Sequence, residues 1–199
     1  GDQAVRMAGN GFSLAGTVSR PATNDNRPLA GIILVGGAGP SDRDETTYGI
    51  PIFGHLAGML ADAGFLVLRY DKRGVGQSGG RAEAATLNDY AEDLRAAVKF
   101  MAGRKDIDRK RLAVVGHGDG GPVAMLAAAN DSRVAAVVLI DTIGGSGADA
   151  NIEQVTRSVG RTNRSDAEKQ ATIELQRKIQ RAVLTGTDWE GIAPSVRQQ

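Results

Sequence analysis

Three glycine-rich segments follow short apolar runs, and each holds residue types that could do chemistry. Val114-Val115-Gly116-His117-Gly118-Asp119-Gly120-Gly121 reads as a strand, a sharp turn and the start of a helix. Glycines at 116, 118 and 120 have the spacing of a nucleophile elbow, G-x-S-x-G. In such an elbow the glycines relieve crowding where strand meets helix, and the serine projects from a strained turn. Here Gly118 stands in the serine slot. Glycine has no hydroxyl, so it cannot attack an acyl carbon. Asp119 sits one residue past the slot, where an aspartate would not face a substrate.

The second segment is Gly36-Gly37-Ala38-Gly39-Pro40-Ser41-Asp42-Arg43-Asp44. Small residues let a ligand approach the backbone, and successive N–H groups can bind an oxyanion. The third, Arg69-Tyr70-Asp71-Lys72-Arg73-Gly74-Val75-Gly76-Gln77-Ser78-Gly79-Gly80, joins charged residues to spaced glycines. That composition makes a stiff, hydrogen-bonded turn. Asp71, Arg73 and Ser78 are read as structural, since no elbow surrounds Ser78 and no histidine lies near it in sequence.

Gly116, Gly118 and Gly121 also satisfy the dinucleotide fingerprint G-x-G-x-x-G, and Asp141 follows at about the distance of a ribose-binding acid. Such a unit normally begins its domain, whereas a hairpin and two strands precede this one. The other two segments also have no task in that reading.

The elements that must position these segments can be traced along the chain. Ala4 to Met7 and Phe12 to Val18 flank Gly9-Asn10-Gly11, a hairpin with the positive φ angles that Asn-Gly favours. A polar loop runs from Pro21 to Pro28. Four apolar runs, Leu29–Val35, Phe65–Tyr70, Leu112–Val115 and Val134–Ile140, read as strands buried on both faces. Helical patterns separate them. One presents Ile52, Phe53, Leu56, Leu60 and Ala63, with His55 packed near that face and Gly64 as its stop. Another presents Leu87, Tyr90, Leu94, Val98 and Met101 between a Thr86 cap and Gly103. A third runs from about Gly121 to Ala129. Strand alternating with helix predicts an α/β fold with a mostly parallel sheet. Asn151 to Val159 and Asp166 to Leu184 are predicted helices, the second with a Ser165–Glu168 capping box and a stripe of Leu175, Ile179, Ala182 and Val183. The chain divides into residues 1–143, the core, and 144–199, a helical segment.

Composition narrows the function classes. The formal net charge is +1 and aromatics make up 4%, which argues against nucleic acid and anionic membranes as partners. No apolar run approaches the ~20 residues that span a bilayer. No cysteine is present, so disulfides and thiolate chemistry are excluded and the redox compartment is left open. Any histidine base within the chain must be His55 or His117. No metal or cofactor is implied. The chain starts Gly1-Asp2 rather than with methionine, as a processed product would.

Taken together, the three segments resemble a bacterial family of α/β-hydrolases related to serine aminopeptidases and acyl esterases. The resemblance rests on a loop ending G-P-x-D-R-D, a turn Y-D-x-R-G-x-G-x-S-x-G and an elbow G-H-S-[ED]-G-G, over about Gly11 to Asp141. Two departures stand out: Gly36 where the family usually has histidine, and Gly118 where it has serine. The resemblance implies a small acyl substrate or ligand. It also implies an oxyanion hole made by the N–H of Asp119 and one from Gly37–Ala38. Asp71, Arg73, Gly74, Gly76, Ser78, Gly116, His117, Gly120 and Gly121 would then be structural motif residues. The family's acid and histidine follow later strands, which implies that this chain is inactive, an acyl-binding pseudoenzyme or part of a hydrolase. The helical segment would begin the lid, where Arg157, Arg161, Arg164, Arg177 and Arg181 read as a solvated face. The family's sheet continues past the strand ending at Ile140. A second polypeptide or self-association is therefore expected to complete that edge.

Overall fold

A computed structural model describes residues 1–22 and 27–196; residues 23–26 of the polar loop, and 197–199, lie outside the described residues. The chain forms two compact units, Gly1–Thr142 and Ile143–Gln199.

In the first unit, strands β1 (Asp2–Ala8) and β2 (Ser13–Ser19) form the N-terminal hairpin. Only Gly11 takes a positive φ, 81°, so Asn10-Gly11 does not make the turn with two positive φ angles that the sequence suggests. The remaining strands are β3 (Leu29–Val35), β4 (Thr46–Thr47), β5 (Ile50–Pro51), β6 (Leu66–Tyr70), β7 (Ile107–His117) and β8 (Val134–Ile140). The main sheet has the order β1-β2-β6-β3-β7-β8. Strands β6, β3, β7 and β8 run parallel, and β2 joins β6 antiparallel. β4 and β5 make a small separate hairpin that the sequence patterns do not signal.

Helices α1 (Ile52–Asp62), α2 (Leu87–Ala102) and α3 (Gly120–Ala129) connect the parallel strands. Alternate residues of β3 feed two cores. Ile33 and Val35 join Leu66, Leu68, Leu94, Val98, Met101 and Val114, while Ile32 and Leu34 join Phe53, Ala57, Val67 and Val115. Burial on both faces is why these strands read as unbroken apolar runs. Thr86 caps α2 in a capping box with Asp89.

Several sequence readings need correction. The buried face of α1 is Phe53, Ala57 and Ala61, a spacing of four, so Ile52 and Ala63 fall outside it. His55 lies on the opposite side and is exposed, not packed. Leu87 is likewise exposed at the start of α2. β7 begins five residues earlier than the apolar run, because the polar stretch 108–111 continues the extended backbone to Ile107, which pairs with Leu29. β8 pairs with β7 alone, and Val138, Leu139 and Ile140 are exposed at this edge of the sheet.

The second unit holds α4 (Gly147–Gly160), α5 (Asp166–Thr185) and α6 (Trp189–Val196). Ser146 caps α4, Ser165 and Glu168 form the capping box of α5, and Gly186 ends α5 at φ 72°. Gln176 donates to Asn151 at 2.7 Å between α4 and α5. Of the predicted stripe on α5, Ala182 is buried and Leu175 and Ile179 are half-buried, while Val183 is 61% exposed; Ile173, outside that stripe, is also buried. Arg157, Arg161, Arg164, Arg177 and Arg181 are all exposed. Among the described residues no helix is long and apolar enough to cross a membrane.

Candidate active site

The carboxyl ends of β3, β6 and β7 lead directly into the three glycine-rich segments. β7 ends at His117, and Gly118 turns the chain into α3 with φ 52°. The Gly118 N–H donates to the Ile140 carbonyl at 2.9 Å, and the Gly118 carbonyl accepts from the Gly121 N–H at 3.0 Å. This turn leaves no room beside it. A Cβ on Gly116 would lie 2.4 Å from the Gly120 carbonyl oxygen, and one on Gly120 would lie 2.3 Å from that of Val35. Gly121 is closed in by the Thr142 side chain. Gly118 differs. A Cβ there meets only the Gly37 Cα, at 3.6 Å, an ordinary contact. The outer glycines of the frame are sterically required, while the middle position would accept a side chain at the cost of its left-handed φ.

The loop after β3 faces this slot. The Gly37 N–H donates to Glu45 Oε1 at 2.5 Å, so that amide is already engaged. The same Glu45 oxygen lies 2.9 Å from His117 Nδ1, and the His117 ring meets Phe53 edge-on at 6.4 Å. Glu45 is only 7% exposed, has φ 46°, and its other carboxylate oxygen is buried without a partner. Lys72 Nζ donates to the carbonyl oxygens of Gly37 and Gly39. Burial lowers the Lys72 pKa, against the pull of the nearby Glu45 and Asp119 carboxylates. Among the described residues, neither the Ala38 amide nor the Asp119 amide donates a hydrogen bond. A cavity of about 440 Å3 adjoins the loop, lined by Ala38, Pro40, Ser41, Glu45 and Val75 among others.

The segment after β6 is cross-linked by side chains. Asp71 accepts from Arg43 Nη2 at 2.6 Å, from Arg43 Nε at 3.0 Å and from the amides of Arg43 and Gln77. Burial pushes the Asp71 carboxyl up, but these hydrogen bonds outweigh it and hold the group below the usual carboxylate range. Gly76 takes φ 54°, and a Cβ there would strike the Asp71 carboxylate at 2.5 Å. Gly74 also takes a positive φ, 71°. Arg73 binds Asp93 through Nε at 2.7 Å and lies over the Phe12 ring. Burial raises the Asp93 pKa although Arg73 opposes it. Ser78 Oγ accepts from the Ala15 N–H and donates to the Asp71 carbonyl. Its hydroxyl is committed to the turn.

Glu45 and Lys72 are the site residues that sequence reasoning did not single out. Neither stands in a patterned position. The only signal was a charged residue in or just beyond a glycine-rich strand end. Asp141, the acid of the dinucleotide fingerprint, follows β8 at φ 47°. Among the described residues no group of three or more histidine or carboxylate side chains is placed to hold a metal.

A family model described as serine aminopeptidase, S33, matches residues 50–179. Esterase EstD of Thermotoga maritima is 36% identical over 115 residues, covering 57% of this chain and 27% of that protein. An uncharacterized Pseudomonas aeruginosa protein, PA2218, is 31% identical over 129 residues, 64% of this chain and 33% of its own length. The crystal structure of PA2218 superposes with a TM-score of 0.64 at 25% identity, covering 94% of this chain and 55% of that one. The α/β-hydrolase GrgF from Penicillium superposes with a TM-score of 0.63 at 24% identity, over 80% of this chain and 52% of its own. The chain thus spans about a quarter to a third of the length of these two curated relatives, and about half of these solved structures.

Proposed function

Because the chain belongs to the serine aminopeptidase family of α/β-hydrolases, we propose that it holds an acyl group at the carboxyl ends of β3 and β7 without forming an acyl-enzyme. The ligand class is a carboxylic ester, a thioester or a small amide, or the carboxylate such a compound releases. Its oxygen lies between the amides of Ala38 and Asp119, where backbone donors need no reorganisation to meet negative charge. Gly118 marks the place of the family's nucleophile and supplies no attacking atom.

One observation carries this reading: Gly116 and Gly120 cannot bear a Cβ, whereas Gly118 can. That pattern is a nucleophile elbow whose functional position alone has lost its side chain. It also accounts for Gly120, which the dinucleotide fingerprint leaves free to vary.

The test has two parts. Titration of the 15N-labelled chain with hexanoate should move the amide resonances of Ala38 and Asp119 together. Intact mass after exposure to a fluorophosphonate, and stopped-flow with 4-nitrophenyl acetate, should show neither an adduct nor a burst. An adduct at any residue, or amides that ignore hexanoate, would overturn the reading.

A further inference from the structure

Lys72 sits outside the atoms that would touch an acyl group, yet it grips the loop that supplies one of the two donors. The Gly37 carbonyl oxygen and the Ala38 N–H belong to one planar peptide unit, and no peptide bond among the described residues is cis. In a trans peptide the N–H points opposite to the carbonyl. A cation bonded to the Gly37 oxygen therefore turns the Ala38 N–H away from itself. Among the described residues no other hydrogen bond to that unit is found, and one of the two torsions that rotate it, the ψ of Gly37, belongs to a glycine and is loosely restrained. Glu45 holds the preceding unit through the Gly37 N–H, and Lys72 holds this one while also bonding the Gly39 carbonyl. The ammonium is itself placed by the Tyr90 ring, 5.4 Å from its centroid, and by the Glu45 and Asp119 carboxylates nearby.

We propose that Lys72 is a positioning residue for the acyl-oxygen pocket: by bonding the Gly37 carbonyl it fixes the Gly37–Ala38 peptide with the Ala38 N–H directed to the ligand. Charge on the donor also polarises the peptide and strengthens its N–H as a hydrogen-bond donor. Both effects reach the ligand through one peptide plane; the Asp119 N–H, on a different segment, feels Lys72 only through the charge of its own nearby carboxylate. The inference rests on the acyl-binding reading above, and its failure is separable from that reading's failure.

The Gly37 C′–Ala38 N correlation in a carbon-detected spectrum reports this peptide directly. In ligand-free protein, Lys72→Met should shift that correlation further than the Gly118 C′–Asp119 N correlation, which loses no hydrogen bond but only a charge near its carboxylate. With hexanoate, both correlations should respond in the unsubstituted chain. In Lys72→Met the Asp119 response should persist while the Ala38 response is lost, with affinity weakened about tenfold, the scale of one hydrogen bond to a charged group. Lys72→Arg, which keeps a cationic donor, should recover the Ala38 response. Lys72→Gln replaces the methionine variant if that one does not fold. An unshifted Gly37–Ala38 correlation in the ligand-free variant, or an undiminished Ala38 response, overturns the positioning role. A normal ligand-free shift combined with no hexanoate response in any chain leaves the clamp standing and removes the acyl-binding reading.

Discussion

The turns after β6 and β7 are both glycine-rich, both follow a buried strand, and are held in opposite ways. After β6, side chains do the work. Asp71 takes four hydrogen bonds, Arg73 is paired with Asp93, and Ser78 is bonded on both sides. After β7, backbone contact does the work. Gly116 and Gly120 touch carbonyl oxygens at distances that admit no Cβ, and the Asp119 amide is left without a partner among the described residues. The first turn has its polar side chains engaged, largely by other segments. The second leaves one amide unpaired among the described residues, the donor that the acyl-binding proposal needs.

The largest expected effect comes from breaking the second turn by size. Gly120→Ala would drive a methyl group against the Val35 carbonyl, backbone against backbone. A loss of about 4 kcal/mol or more is expected in urea unfolding, at the extreme of single substitutions. A loss below about 1 kcal/mol would mean that α3 can shift and that the contact is not a constraint.

Next is the first turn, broken by charge. Asp71→Ala leaves the Arg43 guanidinium without its carboxylate; the arginine is partly exposed, so the loss should fall below about 3–5 kcal/mol, the cost of truncating one side of a fully buried pair. The Asp71 carboxyl is held below its ordinary value, so its contribution is complete above the unfolded aspartate pKa of ~3.9 and fades as pH falls through the folded value. The gap between the Asp71→Ala chain and the unsubstituted chain should therefore narrow in acid. Unfolding curves recorded between neutral pH and about pH 2 check this, and a gap that stays constant would show that the carboxylate is not what holds the turn.

The smallest effect sharpens the contrast. Gly118→Ser has space for its side chain, so only the left-handed backbone opposes it, at about 1–2 kcal/mol. The hydroxyl should not bring full esterase activity. His117 Nδ1 is occupied by Glu45, and His55 is exposed on α1. Full turnover of 4-nitrophenyl acetate by this variant would instead identify His117 as a base.

Much of the scaffold was legible in the order of residues. β3 was anticipated residue for residue because a strand buried on both faces leaves a continuous apolar run; the extent of β8 was anticipated too, but not its burial, since none of its residues is buried. Thr86 and Ser165 marked helix starts, since a cap is a local bond between residues three apart. The misreadings have equally physical reasons. α6 was not anticipated, and it forms with Gly191 and Pro194 inside it. Val183 of the α5 stripe is exposed, Ile173 outside it is buried, and His55 came out of the core, because periodicity gives a face but not what that face meets. Leu112 was taken as the start of β7 because hydrophobicity ends there while the extended backbone does not.

At the site, the order of residues was enough to point to a tight glycine turn at Gly116, Gly118 and Gly120 and to a second turn through Asp71, Arg73 and Ser78, since each lies in a short segment at a strand end, but not to the partners Arg43, Asp93 and Ala15 that hold the second. It could not choose between the Gly37 and Ala38 amides. Glu45 engages the Gly37 N–H and Lys72 the Gly37 carbonyl, from segments 8 and 35 residues away, and on the proposal above these bonds make the choice. Glu45 also meets His117 across 72 residues. Only the parallel packing of β3 between β6 and β7 brings those groups to one peptide, because a hydrogen bond depends on distance in space and carries no trace in sequence spacing.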